Sequence, residues 1–300
     1  MIDNEKDYLI RALACNEEVR AFAVTSRNLV EYARKIHNNS PIATAALGRL
    51  LSAGVMMGDM LKSPHDLITL QIHGDGPLKH LLVTANQNGE VKGYVSNPNV
   101  ILPPNEGGHL NVGAGIGRGN LTVIRDYGLK EPYVSQIDLH SGEIADDLTY
   151  YFAQSEQIPS SVGLGVLFNK DDVTVKAAGG FIIQLMPHTE SKVIDALEKN
   201  LADFSSVTDV LREGKSPEEM LQMLFKGFDV SFTERKPICF KCSCSHEKGL
   251  EILEASGKET VDGLVKDNQG AQVVCDFCGK EYDYTKEEVL AIQKKLNQKA

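Results

Sequence analysis

Five of the chain's six cysteines fall within its last sixty-odd residues, in two tight clusters. The first reads Pro237-Ile-Cys239-Phe-Lys-Cys242-Ser-Cys244-Ser, and the second Val274-Cys275-Asp-Phe-Cys278-Gly279. A polar, helix-prone segment separates them, and Tyr282, Tyr284 and a short charged helix candidate follow. Two close cysteine pairs joined across such an insert make a four-thiolate zinc site, because tetrahedral zinc needs two chelating turns. Structural thiols in a small core are the bland alternative, and five of them in so short a span disfavour it. Cys239-x-x-Cys242 would give the ordinary knuckle spacing and leave Cys244 spare. If Ile238 to Cys244 is extended, however, Ile238, Phe240, Cys242 and Cys244 share one side, and Cys239 falls with Lys241 on the wetter one. The expected ligands are therefore Cys242, Cys244, Cys275 and Cys278, with Cys239 an accessory thiol.

Composition narrows the classes. Three hundred residues with 42 % hydrophobic content allow two domains and at least one good core. No apolar opening run flanked by basic residues marks a signal peptide. No uninterrupted apolar stretch of about 18 residues stands out as a membrane span. Six cysteines without an export signal point to a reducing compartment, so the expected location is cytoplasmic. The net charge of −10 disfavours a nucleic-acid partner, and from Pro237 onward nine lysines face eleven carboxylates.

Residues 1–180 read as an α+β domain with an antiparallel sheet and packed helices. Tyr8 to Ala14 and Val19 to Val24 alternate like strands around an Asn16-Glu-Glu turn, and Thr25 to Ile36 has helical spacing. A second helix, Pro41 to Met60, carries Gly48, Gly54 and Gly58 and reads as a buried packing helix, with Met56, Met57 and Met60 as core filling. Leu67 to Ile72, Leu81 to Ala85 and Val91 to Val95 suit antiparallel strands, with Asn88-Gly89 as a hairpin turn. Gly113 to Gly119 lacks the G-x-G-x-x-G order of a dinucleotide loop and is expected to be a loop or bulge. Gly142 to Tyr151 is an amphipathic helix with an acidic first turn, facing Ile144, Leu148, Tyr151 and Phe152 inward. The eight histidines are scattered and no nucleophile motif is visible, so the chain offers no catalytic residues and is not expected to be an enzyme. Cys15 reads as a buried bystander thiol. Residues 181–236 hold two short helices with broad apolar faces, the second opened by the capping box Ser216-Pro-Glu-Glu219. Helices of this length persist only while docked.

A C-x-C pair opposite a C-x-x-C pair, as Cys242-Ser-Cys244 and Cys275-Asp-Phe-Cys278 stand here, resembles the heat shock protein 33 family of redox-regulated holdase chaperones. The likeness extends to Thr44-Ala-Ala-Leu-Gly-Arg49, to Ser141 through Tyr151, to Ser155-Glu-Gln-Ile-Pro-Ser-Ser161 and to Ala177 through Pro187. It covers nearly the whole chain, and Cys239 is a departure from the family pattern. The resemblance implies a client-binding core domain over 1–180, a metastable helical linker over 181–236 and a redox-switch zinc domain over 237–300. It also implies one zinc ion in the reduced form, and on oxidation disulfides Cys242–Cys244 and Cys275–Cys278 with loss of the metal. Unfolding proteins would then be held without ATP during oxidative stress and passed later to ATP-driven foldases, with a homodimer as the active form. Undocking of the linker would expose Phe181, Ile182, Leu197, Phe204, Leu224 and Phe225 or the surface they cover. Two other functions compete: a thiol–disulfide oxidoreductase, which expects an unmetallated pair, and a zinc-ribbon nucleic-acid binder, which the acidic balance opposes.

Overall fold

In the computed structural model, which describes residues 7–170, 173–267 and 270–299, the first unit begins with the expected hairpin. Strands β1 (Tyr8–Ala14) and β2 (Val19–Thr25) pair antiparallel around a turn in which Cys15, Asn16 and Glu17 all take positive φ. Helix α1 (Arg27–His37) follows, with the Leu29 N–H donating to Asp7 Oδ2 at 2.7 Å. Helix α2 (Pro41–Asp59) starts at the Ser40 cap, and all its residues except Pro41 and Arg49 are buried.

That burial follows from where α2 lies. On one side is a six-stranded sheet built from β3 (Leu67–Gly74), β4 (His80–Asn86), β5 (Glu90–Val95), β6 (Gly119–Asp126) and β7 (Tyr133–Asp138). Its sixth strand comes from much later in the chain. On the other side β8 (Ser160–Phe168) and β9 (Val175–Leu185) extend the first hairpin into a second sheet, and α2 packs against β4, β5, β8 and β9. A helix covered on nearly every side has no polar face to keep, and its residues are mostly apolar, with Arg49 and Asp59 as the charged exceptions. By length and composition alone α2 could cross a membrane, but Arg49 interrupts its apolar run, as the sequence reading has it, and 89 % of its most apolar window is buried inside the protein.

Two connecting segments position buried groups. Gly113 to Gly119, expected as loop or bulge, contains one helical turn, α3 (Val112–Ile116), fixed because Val112 and Ile116 lie on one face and are fully buried. Helix α4 (Ala145–Tyr151) buries Ile144, Leu148, Tyr151 and Phe152 as expected. Its Asp147 accepts from the backbone N–H groups of His140, Ser141 and Ile144. Tyr151 donates to Glu156 at 2.5 Å, and Arg125 reaches the same carboxylate at 2.6 Å. The carboxylates of this block therefore hold the fold.

The segment 181–236 is only partly helical. Residues up to Leu185 finish β9, and three helices follow: α5 (Ser191–Asp203), α6 (Val207–Arg212) and α7 (Pro217–Leu224), the last with the expected capping box. Strand β10 (Val230–Pro237) then pairs antiparallel with β1, giving the order β10-β1-β2-β9-β8. The helices cover the sheet face opposite α2 and form a second core with Phe181, Leu197, Met220, Leu224 and Phe225. Ile182 alternates to the other face and belongs to the α2 core, so undocking these helices would not uncover it. Lys236 of β10 pairs with the buried Asp59, which Arg11 also grips at 2.6 Å. Strand β11 (Cys239–Phe240) runs parallel to β5 and closes the six-stranded sheet in the order β11-β5-β4-β3-β6-β7. The compact units divide between Lys241 and Cys242.

Two substitutions test this packing. A Cβ at Gly58 would sit 2.8 Å from the Asn86 carbonyl oxygen, which is backbone and cannot rotate away. Gly58→Ala should therefore cost about 1–3 kcal/mol despite its better helix propensity. Gly263, a helical glycine of the second unit with no neighbour within 4 Å, should gain about 1 kcal/mol as Gly263→Ala. Calorimetric melting of both variants reads the two effects. Burial also raises the Asp7 carboxyl from 3.8 to about 6, against the lowering pull of the α1 backbone N–H groups and Arg27. A raised carboxyl is stabilised only while protonated, so stability should fall by roughly 3 kcal/mol as pH climbs from 4 to above 6. Asp7→Asn should flatten that slope in urea unfolding at pH 4 and pH 6.5; an unchanged slope would assign it to other groups.

Candidate metal centre

The second unit is built around a small core. Helices α8 (His246–Ala255) and α9 (Lys258–Asp267) precede a hairpin of β12 (Ala271–Val274) and β13 (Glu281–Tyr284), and α10 (Lys286–Lys299) ends the described chain. Leu253, Val261, Tyr284, Val289 and Ile292 are its buried residues, fringed by partly buried Leu250, Leu264, Val273 and Tyr282. So few buried side chains stabilise a unit of this size weakly.

The hairpin end makes one thiol turn. Cys275 N–H donates to the Lys280 carbonyl at 2.9 Å, while the N–H groups of Cys278 and Gly279 return to the Cys275 carbonyl at 3.2 and 2.8 Å. Gly279 takes φ +68, where a side chain would be strained, and so lets the chain reverse just after the second thiol. The other turn sits before α8. Ser245 caps that helix by accepting from Lys248 N–H, and Lys248 Nζ reaches back to the Ser243 carbonyl at 2.7 Å. Cys242 and Cys244 are thereby held on either side of a clamped serine.

The two turns converge. Cys242 Sγ lies 3.6 Å from Cys275 Sγ, Cys244 Sγ lies 3.4 Å from Cys278 Sγ, and all four sulfurs fall within 4.8 Å of one another. Tetrahedral zinc with bonds of about 2.3 Å separates its sulfurs by roughly 3.8 Å, so this donor set fits such an ion closely. Among the described residues these four are the one His, Cys, Asp and Glu group able to hold a metal ion. Without a metal the thiols cannot all ionise together. Burial, then the neighbouring sulfurs, push Cys278 up to about 12, and burial likewise raises Cys242. Burial opposes ionisation of Cys244 too, but hydrogen bonds from Tyr282 and the nearby thiols outweigh it and bring Cys244 down to about 7. Four crowded sulfurs of this kind release their protons most readily to a divalent cation.

Cys239 is not brought into the group. Its N–H donates to the Gly89 carbonyl at 3.0 Å within β11, and its side chain is exposed in the first unit. Cys15 is buried in the β1–β2 turn, where burial lifts its thiol to about 11. Sequence reasoning missed Tyr282 as a site residue: its hydroxyl donates to Cys244 Sγ at 3.2 Å. The alternation Glu281-Tyr282-Asp283-Tyr284, exposed and covered in turn, was the available signal.

Known proteins resemble this chain along almost its whole length. A family model described as the Hsp33 protein matches residues 7–285. The 33 kDa chaperonin of Agathobacter rectalis is 51 % identical over 283 residues, covering 94 % of this chain and 98 % of its own. That of Lachnoclostridium phytofermentans is 49 % identical over 291 residues, covering 97 % and 99 %. The crystal structure of the 33 kDa chaperonin from Thermotoga maritima superposes with a TM-score of 0.90 at 37 % identity, covering 97 % of this chain and 99 % of that one. These relatives are named as chaperonins, not as enzymes. With a family match from Asp7 to Thr285 and relatives near half identity from end to end, the chain belongs to the Hsp33 family of chaperones.

Proposed function

We propose that the chain is a cytoplasmic, ATP-independent holdase of the oxidative stress response, switched by Cys242, Cys244, Cys275 and Cys278. The carrying observation is the convergence of these four sulfurs within 4.8 Å from two separate turns of a unit with a very small core. One zinc ion bound there in the reduced form would supply roughly 10–16 kcal/mol of apparent free energy, above the net stability of an ordinary small domain.

Oxidation removes the ligands. Each pair, Cys242 with Cys244 and Cys275 with Cys278, gives two electrons to one hydroperoxide and forms a disulfide, while the O–O bond breaks and its two oxygens, with protons from the solvent, leave as water and as a second water or an alcohol. No thiolate then remains to hold a metal. Bridges across such tiny loops restrain an unfolded chain little and cannot replace what the metal supplied. The pairing rests on the resemblance, since the nearer sulfurs in the reduced arrangement are Cys242–Cys275 and Cys244–Cys278.

The segment 181–236 acts in this reading as the metastable linker. Its helices α6 and α7 have 6 and 8 residues, below the length at which a helix holds alone in water, and α5 buries only Val193 and Leu197. Their release uncovers Phe181, Leu197, Leu224 and Phe225, and partly buried Phe204 with them, a patch able to bind unfolding clients without sequence readout. Clients pass to ATP-driven foldases once the thiols are reduced again, and the active form is a homodimer, as the resemblance implies.

Zinc release and suppression of client aggregation, followed together through a peroxide titration at raised temperature, should rise in parallel from one zinc per chain. Equal holding by the reduced, zinc-loaded protein would sink the reading. Cys275→Ser should abolish stoichiometric zinc, whereas Cys239→Ser should leave one ion per chain. Peptide mapping of the oxidised protein should recover Cys242–Cys244 and Cys275–Cys278 bridges; links between the two turns would refute that pairing.

A further inference from the structure

Strand β13 turns two tyrosines toward the same side of the hairpin, and their hydroxyls are used differently. Tyr284 is buried and donates to the His246 carbonyl at 2.9 Å, tying the hairpin to the first turn of α8. Tyr282 stands opposite Val273 in the hairpin register, with its ring under Lys280 Nζ at 4.9 Å and edge-on to His246 at 6.5 Å. Its hydroxyl donates to Cys244 Sγ at 3.2 Å. Among the described residues, Cys244 is the one sulfur of the four that receives a side-chain hydroxyl.

We propose that Tyr282 is a positioning residue of the switch: its hydrogen bond holds the Cys244 sulfur at the four-thiol site and slows attack on oxidants. The inference rests on the zinc reading above and adds to it a residue that sets the threshold. The physical reason is electronic. A thiolate attacks the terminal oxygen of a hydroperoxide with its lone pair; the O–O bond breaks, sulfur becomes a sulfenate, and the other oxygen leaves protonated as water or alcohol. A neighbouring thiol then displaces that oxygen as water and closes a disulfide. A donor on the sulfur draws lone-pair density away from the attack and lowers nucleophilicity along with basicity. The same bond orients the sulfur for a metal, and loss of such supporting bonds typically costs 10–100-fold in metal affinity or activity.

The test uses full-length zinc-loaded wild type, Tyr282→Phe and Tyr284→Phe. Tyr282→Phe keeps the ring and removes only the donor; Tyr284→Phe removes a hydrogen bond of the same hairpin that does not reach sulfur. Zinc per chain, melting temperature and the rate of zinc release under fixed peroxide are measured for each, with zinc affinity from chelator competition. Tyr282→Phe should still fold and load one zinc per chain, yet release it several-fold faster and bind it about 10-fold more weakly, with only the small drop in melting temperature that weaker metal binding brings, while Tyr284→Phe releases it at the wild-type rate. Release from Tyr282→Phe at the wild-type rate, or equal acceleration in both variants, overturns the proposal. A wild-type chain that holds no zinc overturns the underlying reading, and this inference with it.

Discussion

Four sulfurs confined within 4.8 Å are the constraint on which the second unit depends. Among the described residues its core has five buried side chains, which offset only weakly the conformational entropy of ordering three helices and a hairpin. As thiols the sulfurs add little to that order: burial and the neighbouring sulfurs push Cys278 up to about 12, while hydrogen bonds from Tyr282 and the nearby thiols bring Cys244 down to about 7. A cation bound among them would favour the charged form of every sulfur and hold the four together. The unit is therefore poised by composition: too little core to ignore the site, and too many thiols in the site to be indifferent to their chemistry.

The first unit distributes its stability unevenly in another way. The α2 core is closed on both sides by sheets, and its helix buries every face. The second core lies outside the β1–β2–β9 strands and is closed only by short helices that each contribute one apolar face. On the proposed reading, local opening would be drawn from the short helices α5 to α7 and not from α2. On that reading, a holdase needs an apolar surface that can be uncovered without losing the fold that carries it, and a sheet with one core on each face, one closed by sheets and one by short helices, would meet that need.

Much of this was legible from spacing. The bounds of α2, the β1–β2 hairpin, the Ser216–Glu219 capping box and the inward face of α4 all follow from local periodicity and caps. The side-parity argument also holds where it can be followed: Ile238 is buried and Phe240 partly so, while Cys239 and Lys241 are exposed. The extended strand ends at Phe240, however, and the Cys242-Ser-Cys244 turn is shaped by the α8 cap and Lys248 instead. Strand β9 escaped because it is buried on both faces, so Gly179 to Ile183 shows no alternation. Strand β10 escaped for the opposite reason, as an edge strand with polar residues on both faces. Tyr282 could be placed on a face from sequence, but its sulfur partner depends on a register that only the folded hairpin fixes.

The last residues of the first unit are held to its own core. Ile238 and Phe240 pack against the α2 core, Phe240 lies 5.2 Å from the Tyr32 ring, and Lys241 N–H donates to the Val91 carbonyl at 2.9 Å. The next residue is Cys242, already part of the sulfur group. The first unit thus ends one residue before the first of the four cysteines. Upstream the same segment continues directly into β10, which is held on β1 and by Lys236 on Asp59. On the proposed reading, disorder that starts at Cys242 reaches the end of β10 after only four residues, Ile238 to Lys241. On the same reading, fraying of β10 would loosen one of the three strands, β2, β1 and β10, against which α7 packs, and the cover over the second core would lose part of its support.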